Sequence, residues 1–151
     1  MIRVLIADNE ALMRTGVRLV LEDYDEIRVV AEAQDTCEAV DACRGHTVDV
    51  ALLDIRMPGD GITAVAELAC LSPRTRAVML AAFGEESTVT SALRAGAHGY
   101  LLKDTGPHAF IDAVRRAAAG DPVLASQVTR QLVEGPAWVT AATRLRAGSQ
   151  P

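Results

Sequence analysis

No apolar run in this sequence approaches the roughly 20 residues that span a bilayer. Met1–Asn9 lacks the basic start and long apolar stretch of a signal peptide. A basic surplus is missing too. The chain has 15 Lys and Arg against 20 Asp and Glu, a net charge of −5. Bulk electrostatics therefore does not draw it to nucleic acid or to an anionic membrane. Cysteine is sparse. Cys37, Cys43 and Cys70 are odd in number and follow no metal-ligand spacing. They read as buried thiols in a reducing cytosol, and the expected location is cytoplasmic. His46, His98 and His108 are scattered, each near a Gly or Pro, and read as surface residues. Neither a G-x-x-x-x-G-K-[ST] loop nor a G-x-G-x-x-G turn follows the first apolar run, which disfavours nucleotide binding.

What is present is a regular alternation of two periodicities. Half of the 151 residues are hydrophobic, enough for one domain with a real core and a short appendage. Ile2–Ala7, Ile27–Ala33, Asp49–Asp54, Arg76–Ala82 and Gly99–Lys103 are short apolar runs that read as strands. Between them lie helical patterns at Glu10–Asp23, Asp35–Arg44, Ile62–Leu71, Glu85–Gly96 and Pro107–Gly120. In the first helix the apolar positions are Leu12, Val17, Leu19 and Leu21. Asp35 and Glu38 are spaced as a capping box, and the last helix opens on Pro and closes on Gly. Leu93 and Phe110, like Phe83, read as core or interface residues.

Five consecutive βα units predict an α/β fold, a doubly wound five-stranded parallel sheet of (βα)5 architecture. After Gly120, Pro122–Glu134 is expected to form one more helix and Gly135–Pro151 a linker or tail.

In such sheets the working site lies beyond the carboxyl ends of the strands. Three ends carry polar groups: Asp8–Asn9–Glu10, Asp54 and Lys103. A carboxylate that accepts a phosphoryl group needs a divalent cation, a positive side chain and a small hydrogen-bond donor around the phosphoryl oxygens. Asp8 suits magnesium, which takes few protein carboxylates. Lys103 is a point cation able to reach Asp54 or its phosphoryl group. The backbone carbonyl of Arg56 is placed to complete a metal site. Taken singly, Asp54 and Asp8 also suit turn or helix caps, and Glu10 suits the first-turn position of a helix dipole.

Asp8 after strand one, "LLDIRMPG" around Asp54 and "GAHGYLLKD" at strand five together resemble the receiver domain of bacterial two-component response regulators. The resemblance covers Met1 to about Gly120 and implies a CheY/flavodoxin-like fold. "LLKD" and the following "AAAGDPVLASQVTRQLVE" are similar to the NarL/FixJ subfamily, whose members usually continue into a helix-turn-helix DNA-binding domain. The resemblance implies that Asp54 is a phosphoacceptor supplied by a sensor histidine kinase. It implies that Asp8 and Asn9 take the acidic-pair positions that bind Mg2+ together with Asp54 and the Arg56 carbonyl. Lys103 and the Ala82 backbone N–H would hold the phosphoryl group. Ala81 takes the place of the switch Thr or Ser, and Tyr100 that of the switch aromatic. As an ordinary strand residue, Tyr100 has an equally simple reading.

Three departures follow. Asn9 removes one negative charge, which predicts weaker Mg2+ binding. Ala81 cannot donate to a phosphoryl oxygen, which predicts weak coupling of phosphorylation to conformation. "MPGDG" is one residue shorter than the family's common Met-Pro-Gly-x-Asp-Gly.

The expected organisation is a receiver at 1–120 and a helix with linker at 121–151, without a DNA-binding domain in this chain. The expected role is signalling, not enzymatic, with output to transcription through a DNA-binding domain elsewhere, a possible homodimer and no membrane. The alternative is a pseudo-receiver working by phosphorylation-independent protein or small-ligand binding. A haloacid-dehalogenase-like phosphatase is disfavoured, because its second acid would fall at Arg56.

Overall fold

The computed structural model of the chain describes residues 1–82 and 84–124. The strands are β1 (Ile2–Ala7), β2 (Ile27–Ala33), β3 (Val50–Asp54), β4 (Arg76–Ala81), β5 (Gly99–Leu102) and β6 (Val123–Leu124). The helices are α1 (Ala11–Glu22), α2 (Thr36–Gly45), α3 (Gly61–Leu71), α4 (Val89–Ala95) and α5 (Pro107–Ala118). The strands form one sheet in the order β2-β1-β3-β4-β5-β6, with every pairing parallel.

Side-chain alternation along the strands divides the core into two layers. Leu5, Ala7, Leu53, Met79, Ala81 and Tyr100 pack on one face with residues of α2, α3 and α4. Val4, Ile6, Leu52, Val78, Leu80 and Leu101 pack on the other with residues of α1 and α5. Both faces are covered, so strands β1 and β3 to β5 are almost continuously apolar.

The expected five-stranded sheet is corrected to six. Val123 and Leu124, expected inside a helix, pair in parallel with Gly99 and Tyr100. Gly99 makes room for this strand, since a Cβ there would lie 2.8 Å from the Cβ of Val123. The apolar pair extends the sheet because β5 would otherwise present an open edge. The remainder of the expected helix, the tail and Phe83 lie outside the described residues.

Smaller expectations change as well. Val17 and Leu21 are buried, but Leu12 and Leu19 are 85% and 69% exposed on α1. Their positions point away from the stripe that α1 turns to the sheet. Cys43 is buried, and burial raises its thiol pKa to about 11, but Cys37 and Cys70 are exposed. His98 is only partly exposed, with its Nδ1 buried and without a hydrogen-bond partner. Burial foremost, then Arg76, lowers its pKa. His46 and His108 are exposed as expected.

Candidate phosphoacceptor site

The strand order reverses direction at β1, which is flanked by β2 and β3. Ligand sites in open α/β sheets form at such points, beyond the strands' carboxyl ends. Here the point brings Asp8, from the end of β1, beside Asp54, the last residue of β3. Both carboxylates are buried, at 0% and 2% exposure.

Each is first of all held by its own chain. The Glu10 N–H donates to Asp8 Oδ1 at 2.8 Å, and the Arg56 N–H donates to Asp54 Oδ1 at 3.1 Å. The cap-like reading of both residues is therefore true of their local geometry, and it positions them for more. Lys103 enters from the end of β5 and bridges the two. Its Nζ lies 3.0 Å from Asp8 Oδ2 and 3.2 Å from Asp54 Oδ1. Glu10 Oε1 adds a third, more exposed contact at 3.6 Å. The Asp54 contacts fall on Oδ1, leaving Oδ2 unengaged among the described residues.

The electrostatics follow from burial. Desolvation raises the pKa of Asp54 above the ordinary carboxylate range, and the Asp8 charge adds to it. The Arg56 N–H and Lys103 act against that rise without cancelling it. Burial pulls Lys103 downward, but its contacts with Asp8 and Asp54 outweigh it and leave the pKa raised.

A raised carboxyl pKa means that ionised Asp54 works against the fold at neutral pH. Its favourable contribution is complete only below the unfolded-state pKa, and it is lost as pH rises through the folded one. Asp54→Asn is therefore expected to unfold at a higher temperature than the native chain at pH 7. That gain shrinks as pH falls toward about 4, where both states carry the proton. Calorimetry across that range checks it; a gain independent of pH would contradict the electrostatic origin.

The donor set fits a magnesium ion. Asp8 Oδ2 is buried and makes no hydrogen bond, because the nearby Lys103 Nζ meets it as an ion pair outside hydrogen-bond geometry. The Arg56 carbonyl accepts no hydrogen bond among the described residues. A hard cation that keeps several waters suits two carboxylates and a carbonyl. Asn9 is exposed and shares in none of the hydrogen bonds of the site, so the structure does not bring it into the cluster.

The loop after β4 differs from expectation. Ala81 is fully buried, and the carbonyl of Ala81 accepts from the Lys103 N–H at 2.8 Å. The Ala82 N–H, expected to face a phosphoryl oxygen, instead donates to Glu85 Oε1 at 2.9 Å. The other oxygen of Glu85 pairs with the guanidinium of Arg56. Tyr100 is fully buried, and its hydroxyl donates to the Glu85 carbonyl at 2.9 Å and meets Thr88 Oγ1 at 2.8 Å. Tyr100 is thus a core strand residue whose hydroxyl is tied to this loop.

Sequence reasoning missed Glu85, Thr88 and Arg14. Arg14 donates to the Asp8 carbonyl and pairs with Glu32 at 3.2 Å. The sequence pattern opens a helix at Glu85, yet the α-helix begins only at Val89 after a 3-10 turn. The local pattern gave no signal that this acid turns inward.

The response regulator receiver domain model matches residues 4–115. The chain belongs to the response regulator receiver family. Its receiver is of the NarL/FixJ type, like the relatives it matches. It is 37% identical over 133 residues to response regulator UvrY of Escherichia coli K12, covering 87% of this chain and 61% of that protein. It is 36% identical to response regulator GacA of Pseudomonas protegens, covering 88% and 63%. The chain thus spans about three-fifths of the length of the curated relatives it matches. The signal receiver domain of the NarL response regulator from Mycobacterium tuberculosis is similar with a TM-score of 0.75 and 38% identity, covering 79% of this chain and 97% of that one. The response regulator domain of Thermotoga maritima CheB gives 0.74 and 30%, covering 81% and 99%. The receiver is a signalling domain, and none of its described helices is long and apolar enough to cross a membrane.

Proposed function

We propose that Asp54 of this receiver accepts a phosphoryl group from the histidine of a sensor kinase. The observation that carries this reading is the trio at the strand ends: Lys103 Nζ at 3.2 Å from Asp54 and 3.0 Å from Asp8, both carboxylates buried, with Asp54 Oδ2 accepting no hydrogen bond among the described residues. Asp54 is the nucleophile through a carboxylate oxygen. A bond forms to phosphorus as the phosphorus–nitrogen bond of the donor histidine breaks, and the nitrogen keeps the electron pair and takes a proton. Lys103 holds a phosphoryl oxygen and offsets the charge that Asp54 gains. Asp8, Asp54 and the Arg56 carbonyl would hold Mg2+, and Asn9, exposed and outside the cluster, supplies no second acid. When bound, the ion neutralises charge on the phosphoryl oxygens.

Residues 1–120 are the receiver in this reading, and β6 from the following 121–151 segment adds to its sheet. The output is transcription regulation through a DNA-binding domain outside this chain, consistent with the greater length of the relatives and with names such as "Transcriptional regulatory protein DegU" among them. A cytoplasmic location and homodimer formation complete the proposal.

A second reading, a phosphorylation-independent pseudo-receiver, is favoured by two features. Ala81 supplies no hydroxyl, and Glu85 already occupies the Ala82 N–H.

The test is intact mass after incubation with acetyl phosphate and magnesium, with Asp54→Asn as control. The native chain is expected to gain one phosphoryl group and the control none. No gain in either would favour the pseudo-receiver.

A further inference from the structure

We propose that Glu85 is a built-in competitor of the phosphoryl group, its carboxylate holding the Ala82 N–H and the Arg56 side chain that a phosphorylated Asp54 would use. The inference rests on Asp54 being the phosphoacceptor.

The sheet register places the competition. Asp54 pairs with Leu80 across β3 and β4, and Ala81 pairs with Leu102 across β4 and β5. The Ala82 N–H therefore emerges between the ends of the strands that carry Asp54 and Lys103. A phosphoryl group on Asp54 grows into that space, and a backbone N–H there is a fitting donor for one of its oxygens. In the structure the donor is taken, since Glu85 Oε1 accepts from it at 2.9 Å.

The second oxygen of Glu85 is equally committed. It pairs with Arg56, the residue whose backbone N–H holds Asp54 Oδ1. The Glu85 side chain is 9% exposed, whereas that of Arg56 is 76% exposed. The acid is thus the fixed partner and the arginine the free-swinging one. One carboxylate bridges the two loops that flank the acceptor and presents two oxygens to a backbone N–H and a cation. A phosphoryl group offers the same pair of contacts. It carries more charge, and two anions cannot share one N–H at close range. Phosphorylation then requires Glu85 to leave, which frees Arg56 to pair with a phosphoryl oxygen.

The backbone of Glu85 gives the exchange a mechanical outlet. Its carbonyl accepts from both the Tyr100 hydroxyl, at 2.9 Å, and the Thr88 hydroxyl, at 2.6 Å. Expelling the Glu85 side chain disturbs the residue that anchors both. In this chain, where Ala81 lacks a hydroxyl to pull the loop, the acid supplies a loop contact that phosphorylation breaks rather than one that it makes.

The experiment compares phosphorylation rates by intact mass, using acetyl phosphate with magnesium on the full chain. Native protein, Glu85→Ala, Glu85→Gln, Asp54→Asn and the double variant Asp54→Asn with Glu85→Ala are run together, and thermal unfolding of each confirms folding. Glu85→Ala is expected to be labelled at least about 5-fold faster than native, although it unfolds at a lower temperature. Glu85→Gln keeps an acceptor for the Ala82 N–H but loses the charge, and falls between. A merely structural role would slow labelling in step with lost stability. Equal or slower labelling of both Glu85 variants, with labelling still dependent on Asp54, overturns the competitor and leaves the phosphoacceptor standing. No labelling in any variant overturns the phosphoacceptor and the competitor with it. Acceleration that persists in the double variant places the label elsewhere and overturns the competitor too.

Discussion

Lys103→Met is expected to lower both phosphoryl uptake and stability. The native ammonium sits between two buried carboxylates, at 3.0 Å from Asp8 and 3.2 Å from Asp54. Methionine keeps much of the stem's volume and removes the charge. Loss of one donor aimed at developing phosphoryl charge lowers a rate by about 100-fold or more. The stability effect has a separate cause. Breaking a buried ion pair by removing one partner costs about 3–5 kcal/mol. Lys103 is 19% exposed, so the lower end of that range, about 3 kcal/mol, applies. The pH dependence identifies the origin. Without Lys103 the pKa of Asp54 rises further, so acidification relieves the variant before it relieves the native chain. The gap between the two is expected to be largest near pH 7 and to narrow toward about pH 4. Denaturant unfolding at several pH values measures it. A gap that does not change with pH would mean that lost packing, not lost charge, dominates.

Gly61→Ala is expected to be the most destabilising small substitution near the site. Gly61 opens α3 directly behind β3. A Cβ there would lie 2.3 Å from the Asp54 carbonyl oxygen and 2.7 Å from the Ile55 Cα. Both are backbone atoms, so no side chain can turn aside. The Gly61 N–H donates to the Ile55 carbonyl at 3.1 Å, which leaves the helix no freedom to retreat. Overpacking against backbone costs about 3 kcal/mol. Relief must push β3 and the acceptor with it, so phosphorylation is expected to fall as well. Unchanged unfolding in denaturant would show that α3 can shift without penalty. The same crowding bears on the short Met57–Gly61 loop. It closes with Gly59 at φ +88° and with Asp60 at φ +71°, a left-handed backbone rare outside glycine. These two positive φ values fall inside the "MPGDG" stretch that leads from the acceptor strand into α3.

Much of this was legible in the sequence because its cause was local or periodic. Alternating apolar runs and helical patterns placed β1 to β5 and α1 to α5 to within a few residues, since burial on both faces demands such runs. Asp8, Asp54 and Lys103 were legible because strand ends in this architecture converge on one edge. What was not legible depends on contacts made across the fold. Glu85 lies in a stretch that reads as helix, and its contacts with the Ala82 N–H and with Arg56, 29 residues away, hold it inward. β6 has two residues, too few for any periodicity, and exists because β5 offers an edge. The exposure of Leu12 and Leu19 escaped notice because apolar residues at helical spacing do not say which of two possible stripes faces the sheet. His98 looked like a surface residue beside a glycine, yet the step from α4 into β5 partly buries it.

The shortest element has a consequence for how a signal would travel. β6 runs parallel to β5, and its last residue, Leu124, lies in register with Tyr100. Neighbouring strands stand about 4.8 Å apart. Leu124 is therefore leashed one strand-width from the tyrosine whose hydroxyl grips the loop beside the acceptor. A displacement of that tyrosine would be expected to reach Leu124 through the ladder of the sheet itself. The sheet margin is then both the boundary of the core and a handle on the strand that closes it.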